Sequence, residues 1–304
     1  MAVERPVRVD RELLRGWPLP DPDGDKSDHG TVLVVGGARQ TPGAVLLVAE
    51  AALRVGAGKV QVATAADTAA ALAVALPEAF VEGLPVLHDG ELAVAGADRV
   101  LELAAGADVV VLGPGLGKPR DASLFAAQIV PHLDAGLVLD ALGTAYLTGH
   151  RDGVRHLDGR VLLTPNVTEV AALLERSEEE VTRAQLRATG TVADRTGAVV
   201  LSGGEVSYIV SPEGEAWSCD SGPSDLATAG SGDVKAGCAA GLMAKGASPA
   251  QAAVWTSWLH AHAGARLRED RPGFLARDVP RAIPGEIDRV ERDSSSTEAV
   301  RPAG

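Results

Sequence analysis

The sequence predicts an α/β fold: a mostly parallel central sheet with helices on both faces. Three observations carry that expectation. Apolar strand-like runs alternate with Ala-rich helical runs from one end of the chain to the other. The strand runs, such as Thr31–Val35 and Asp108–Leu112, lack apolar–polar alternation, as strands covered on both faces do. Strand after strand then stops at a glycine or a polar residue: Gly36, Gly113, Asp140, Pro165-Asn166 and Ser202-Gly203. Open α/β sheets bind ligands just past the carboxyl ends of their strands, so these stops share one crevice.

Taken in order, residues 1–29 are Pro- and Asp-rich and read as a loosely packed lead-in with a short helix around Asp10–Arg15. Residues 30–290 read as one domain. Its first strand, Thr31–Val35, is followed by a helix over Gly43–Gly56 with Pro42 near its start. Lys59–Thr64 and Phe80–Leu84 read as strands around an Ala66–Leu76 helix. A Gly96–Ala105 helix precedes the Asp108–Leu112 strand. An Ala122–Leu133 helix leads to the Leu137–Asp140 strand, and Ala145–Leu147 is too short to assign. The second half gives a Val161–Thr164 strand, a Thr168–Leu174 helix, a longer Glu178–Thr196 helix and an Ala198–Leu201 strand. Val206–Val210 and Glu215–Cys219 form a hairpin around Pro212–Gly214. Three helices close the domain: one running to Gly246, one from Pro249 to about Arg268, and one near Arg277–Arg289. Residues 291–304 are Ser-, Thr- and Pro-containing and are expected to be disordered.

Composition excludes several classes. A hydrophobic share of 46% with only 3% aromatic residues means a core of Ala, Val and Leu. The formal charge of −13 and the lack of a basic cluster argue against a nucleic-acid or anionic-membrane partner. Cys219 and Cys238 lack metal spacing and suggest a reducing compartment. No stretch reads as a signal peptide or membrane span, so the expectation is a soluble cytoplasmic protein.

The chemistry concentrates in Leu226–Ala236, where Gly230-Ser231-Gly232-Asp233 marks a loop becoming a helix. A helix N-terminus presents unpaired N–H groups and a positive dipole end to phosphate, and glycine lets the backbone approach it. Asp233 there suits a general base that deprotonates a hydroxyl attacking a phosphoryl group; it also suits a helix cap. Asp140 is open to two readings, a ligand of magnesium-phosphate or of a substrate hydroxyl, and a buried turn cap. Asn166 can contact a ligand or close an Asx turn before Glu169. Ser202-Gly203-Gly204-Glu205 can wrap a nucleotide or form a plain turn. Other motifs fail. The glycines of Gly113-Pro-Gly-Leu-Gly117 alternate, unlike a dinucleotide fingerprint, and Gly56-Ala-Gly-Lys59 opens a strand, unlike a P-loop. His260 and His262 face different ways on one helix, and Trp255 and Trp258 read as core.

With these residues in place, the chain resembles the ribokinase-like superfamily, and within it the ADP-dependent NAD(P)H-hydrate dehydratases. The resemblance runs from about His29 to about Pro284. It rests on His29-Gly-Thr-Val-Leu-Val-Val-Gly-Gly, Pro42-Gly-Ala-Val-Leu-Leu, Ala51-Ala-Leu-Arg-Val-Gly-Ala-Gly-Lys59, Gly113-Pro-Gly-Leu-Gly117, Leu163-Thr-Pro-Asn-Val-Thr-Glu169 and Ala227-Thr-Ala-Gly-Ser-Gly-Asp233. It implies a three-layer α/β/α fold and a repair enzyme for hydrated NADH or NADPH that uses ADP, or ATP, with Mg2+. It implies a homo-oligomer, a tetramer. It implies that Asp233 is catalytic, that Gly230, Ser231 and Gly232 form the anion hole, and that Ala44, Gly115, Asn166 and Asp233 face the hydrate. Ser202, Gly203, Gly204, Glu205, Val206 and Gly232 would face the nucleotide.

Three positions depart from the family pattern. Asn166 stands where the family usually has His, Ser202 where it usually has Lys, and Asp140-Ala-Leu-Gly-Thr replaces Asp-Ala-x-Ala-Leu. Two alternatives share the Gly-Ser-Gly-Asp motif: an ATP-dependent kinase of a hydroxymethyl-pyrimidine, hydroxyethyl-thiazole or sugar, and a nucleotide-binding paralogue without activity.

Overall fold

The computed structural model of the protein describes residues 3–22 and 28–298. In chain order the elements are β1 (Val7–Arg8), α1 (Arg11–Gly16), β2 (Thr31–Val35), α2 (Gly43–Arg54), β3 (Lys59–Ala65), α3 (Ala66–Ala75), β4 (Phe80–Leu84), α4 (Ala97–Ala104), β5 (Val109–Leu112), α5 (Pro119–Ala127), β6 (Gly136–Leu139) and α6 (Tyr146–Gly149). They continue with β7 (Val161–Leu163), α7 (Val167–Leu174), α8 (Glu178–Arg183), α9 (Gln185–Thr196), β8 (Val199–Ser202), β9 (Val206–Val210), β10 (Ala216–Asp220), α10 (Ser231–Ala244), α11 (Pro249–Asp270) and α12 (Val279–Glu298).

The ten strands form one sheet in the order β1-β10-β9-β8-β7-β6-β5-β2-β3-β4. All pairs are parallel except β9 with its neighbours β8 and β10. The chain leaves β2 toward β3 and β4 on one side, then crosses back to β5 on the other. That reversal between β2 and β5 is the topological switch point where a crevice opens.

The continuous apolar strands serve two cores. Val32, Val34, Val62, Val111, Val138 and Leu162 face α2, α10 and α11. Their neighbours Leu33, Val35, Val110, Leu112, Leu139 and Leu163 face α5, α7 and α9. The period of two is therefore present in direction but hidden in polarity.

The scarcity of aromatics is answered by close helix packing. On α10, a Cβ at Gly237 would stand 2.2 Å from Val48 O, and one at Gly241 would stand 2.7 Å from Ala52 O. These two glycines, one turn apart, let α10 lie directly on α2. That contact sets where the N-terminus of α10 sits.

The structure departs from the sequence reading at four places. The lead-in is packed rather than loose around residues 7–20. β1 joins the sheet beside β10, Asp10 caps α1, and Leu14 is fully buried. Trp17 O accepts from Trp255 Nε1 at 2.8 Å, which pins this segment to α11. The expected single helix over Glu178–Thr196 is two, α8 and α9, broken at Ala184 where the backbone turns to φ −137°. Ala122–Leu133 shortens to α5 plus a separate turn of 3-10 helix at Val130–His132. The expected disordered tail begins as helix, since α12 runs to Glu298; residues 299–304 lie outside the described residues. Asp288 and Arg292 bridge one turn of this extension.

Candidate active site

The carboxyl ends of β2 and β5 interlock through glycine. Gly37 N donates to Pro114 O and Ala38 N to Gly115 O, both at 2.8 Å. Gly115 has φ +69°, and a Cβ there would meet Thr41 O at 2.5 Å and Ala44 Cβ at 2.9 Å. Only glycine fits that approach. Glu91, buried, accepts from Gly117 N at 3.0 Å and holds the far end of the loop. Ala44 and Gly115, both expected at the hydrate, are thus in contact at the switch point.

Next along the sheet, β6 ends in Asp140. Its side chain is buried and accepts from Thr164 Oγ1 at 2.7 Å. Burial pushes its pKa up to about 6 against the Thr164 bond and nearby Lys235. Beyond β7, Asn166 and Glu169 form a reciprocal cap at the start of α7. Glu169 N donates to Asn166 Oδ1 at 2.9 Å, and Asn166 N donates to Glu169 Oε2 at 3.0 Å. Asn166 Nδ2 donates to Glu169 Oε1 at 3.0 Å. The local-cap reading of Asn166 therefore holds, and the residue lines a cavity also lined by Gly203 and Gly232, apart from the Ala44–Gly115 contact. Burial raises Glu169 to about 7, with Asp140 adding to the rise.

Asp233 stands in the first turn of α10, after Gly230 at φ +91°. Among the described residues its carboxylate has no hydrogen-bond or ion-pair partner. Burial first, then the charges of Asp140 and Glu169, raise its pKa to about 7. A free carboxylate titrating near neutrality can take a proton, whereas a cap engaged with backbone N–H groups could not do so as readily. Behind it, buried Ser231 shares a 3.0 Å hydrogen bond with His260 Nε2. His262 lies exposed, so the two histidines do face different ways, and Trp255 and Trp258 are core.

A cavity of about 440 Å³ opens against the other flank of α10. It brings together Asn166, Gly203, Gly204, Ser231 and Gly232, which lie far apart in sequence. Three residues expected at the nucleotide, Ser202, Glu205 and Val206, do not line it. Ser202 is completely buried, its Oγ accepting from Gln185 Nε2 at 3.1 Å. Val206 lines a different cavity, with Gln185 and Tyr208. Glu205 is exposed and joins the structure through its carbonyl, which accepts from Ser221 N at 3.2 Å.

Sequence reasoning missed Lys235, which lines the same cavity. The signal was available. Lys235 is the one charge after Asp233 in a run of small apolar residues that reads as buried through Ala244. Glu169 was noted only as a helix-start residue; its electrostatic link to Asp140 and Asp233 needs the fold.

Residues 32–284 match the model of the NAD(P)H-hydrate dehydratase family. The chain is 40% identical over 288 residues to the ADP-dependent (S)-NAD(P)H-hydrate dehydratase of Xanthomonas campestris pv. campestris, covering 93% of this chain and 97% of that protein. It is 37% identical to the bifunctional NAD(P)H-hydrate repair enzyme Nnr of Salinibacter ruber, covering 93% of this chain but 53% of that protein. The chain thus spans about half the length of the bifunctional relatives and nearly all of the stand-alone one. Its fold matches that of the Bacillus subtilis ADP/ATP-dependent NAD(P)H-hydrate dehydratase co-crystallized with ATP/Mg2+, with a TM-score of 0.75, 24% identity, and coverage of 94% of this chain and 99% of that one.

Proposed function

This chain belongs to the NAD(P)H-hydrate dehydratase family, and from that premise we propose that it restores hydrated NADH or NADPH at the expense of ADP, with Asp233 as the general base. The observation that carries this reading is the state of Asp233. It is an unpartnered carboxylate in the first turn of a helix, raised to about 7 by burial and by the charges of Asp140 and Glu169.

In this mechanism Asp233 takes the proton of the ring hydroxyl. The oxygen attacks the β-phosphoryl group of ADP, and the bond to AMP breaks. Backbone N–H groups at Gly230, Ser231 and Gly232, aided by the helix dipole, stabilise charge on the transferring group. Phosphate then leaves with cleavage of the carbon–oxygen bond, a ring proton departs, and the double bond returns. Ala44 and Gly115 give the hydrate a close backbone floor, with Asn166 at its edge. Gly203, Gly204 and Gly232 admit the nucleotide, with Glu205 at the rim.

Magnesium fits the donor set at Asp140. Mg2+ needs only one or two carboxylates beside phosphate oxygens and water. Among the described residues no cluster of three or more ligating side chains forms, so protein alone does not cage a metal here. A bound Mg2+ would neutralise phosphate charge and favour the ionised form of Asp140. A cytoplasmic location and a homotetramer belong to the same reading. Two buried free cysteines support a reducing compartment, and among the described residues no helix is long and apolar enough to cross a membrane.

Incubating the protein with hydrated NADH and ADP, and following the absorbance of reduced nicotinamide, tests the proposal. Recovery of absorbance with release of AMP supports it. Consumption of ATP only when a pyrimidine or thiazole alcohol is present would replace it with the kinase alternative.

A further inference from the structure

Three carboxylates, Asp140, Glu169 and Asp233, influence one another at a site that, in the proposed reaction, must accept a polyphosphate. One basic side chain lines its nucleotide flank, Lys235 of α10. Among the described residues Lys235 has neither a hydrogen-bond nor an ion-pair partner. Its Nζ lies 3.9 Å from where a Cβ on Gly203 would stand, so the ammonium reaches the loop that follows β8. That loop follows Ser202, whose hydroxyl is buried against Gln185, so β8 itself ends without a cation.

We propose that Lys235 is the phosphate-binding cation of the nucleotide half-site, reaching from α10 to the Gly203-Gly204 loop to hold the polyphosphate of ADP. The proposal rests on the nucleotide reading given above. Three physical points support it. An ammonium held against an apolar helix without a partner is unfavourable until an anion arrives, and the free protein reflects this: burial lowers the Lys235 pKa, with Asp140 and Cys219 only partly offsetting it. A Cβ on Gly203 would meet nothing nearer than this ammonium, so glycine at that position leaves the space in front of it open to a ligand oxygen. The N–H groups of the first turn of α10 and the ammonium on its second turn flank the same cavity, so one anion can meet both.

Calorimetric titration of the whole protein with ADP, AMP and adenosine tests this without turnover. The proteins are wild type, Lys235→Met and Lys235→Arg, each with and without Mg2+. Lys235→Met is expected to weaken ADP about 10- to 100-fold, as loss of a charge-assisted contact does, while adenosine changes less than about twofold. Lys235→Arg should recover part of the loss. Thermal melting of the ligand-free proteins gives a second readout: Lys235→Met should melt no lower than wild type, because it removes an unpaired charge. Equal ADP affinity in wild type and Lys235→Met would overturn the proposal while leaving the nucleotide reading intact. So would a parallel loss of ADP and adenosine with a lowered melting temperature, which marks a structural role. Failure of wild type to bind ADP or ATP would overturn both.

Discussion

The two flanks of α10 are built on different principles. On the side proposed for the acceptor, Gly37, Gly113 and Gly115 let backbone meet backbone, and Asp140, Glu169 and Asp233 supply the charge. On the nucleotide side, the loop after β8 carries no cation, its first residue is buried against Gln185, and the basic side chain comes from the helix. The comparison teaches that a helix N-terminus can serve two partners at once. In the proposed reaction it carries Asp233 as base and, two residues on, Lys235 as phosphate-binding cation.

The sharpest way to break this division is at the base. Asp233→Asn should lower turnover about 10²- to 10⁴-fold, the usual contribution of a general base, while ADP affinity moves less than about threefold. Steady-state rates with hydrated NADH and a direct ADP titration would separate the two effects. A mutant losing both equally would erase the distinction between flanks.

A change at the seam should strike both flanks together. Gly237→Val places side-chain atoms where Val48 O and Ala51 Cβ already stand, 2.2 and 2.8 Å from the new Cβ. Denaturant unfolding should show a loss of about 2–4 kcal/mol, with hydrate and ADP affinity weakened in step. A well-folded mutant with one affinity untouched would mean that α2 does not position α10.

Gly115→Ala confines the damage to the acceptor floor. Its φ of +69° and the nearby Thr41 O penalise any Cβ. The KM for hydrated NADH should rise about tenfold, with ADP affinity unchanged.

The smallest effect is the pH dependence. In the proposed mechanism Asp233 must be ionised to act, so kcat/KM should climb through an apparent pKa near 7 as pH rises. Stability should run the other way. The folded protein holds this proton between the ordinary 3.8 and about 7, where the unfolded chain has lost it. Stability of the free protein should therefore fall as pH rises across that window. Asp233→Asn should flatten the fall and unfold at higher denaturant than wild type at pH 8, by roughly 1 kcal/mol or more. A pH-independent difference between the two would remove the carboxyl from the titration.

Strands were legible in the sequence because apolar runs such as Val109–Leu112 are short and end in glycine. The break at Ala184 was not, because neither Gly nor Pro marks it. It is imposed by tertiary contact, which brings Gln185 to the Ser202 hydroxyl. On the acceptor side, Gly115 and Asp233 could be read because their roles are local: a left-handed turn and a helix start. On the side proposed for the nucleotide, the sequence does not show direction along β8 and β9, which puts the Ser202 side chain in the core and Val206 on a different cavity. Lys235 escaped notice because a lone lysine in a helix ordinarily lies in solvent, and only the fold sets it against Gly203.

The central claim is that a hydroxyl oxygen activated by Asp233 becomes a phosphate oxygen. Hydrated NADH labelled with ¹⁸O in the ring hydroxyl should be incubated with the protein and ADP, and the inorganic phosphate analysed by mass spectrometry. The account predicts the label in phosphate, in step with AMP, and its absence when Asp233 is Asn. Recovery of reduced nicotinamide with the label in water would contradict it.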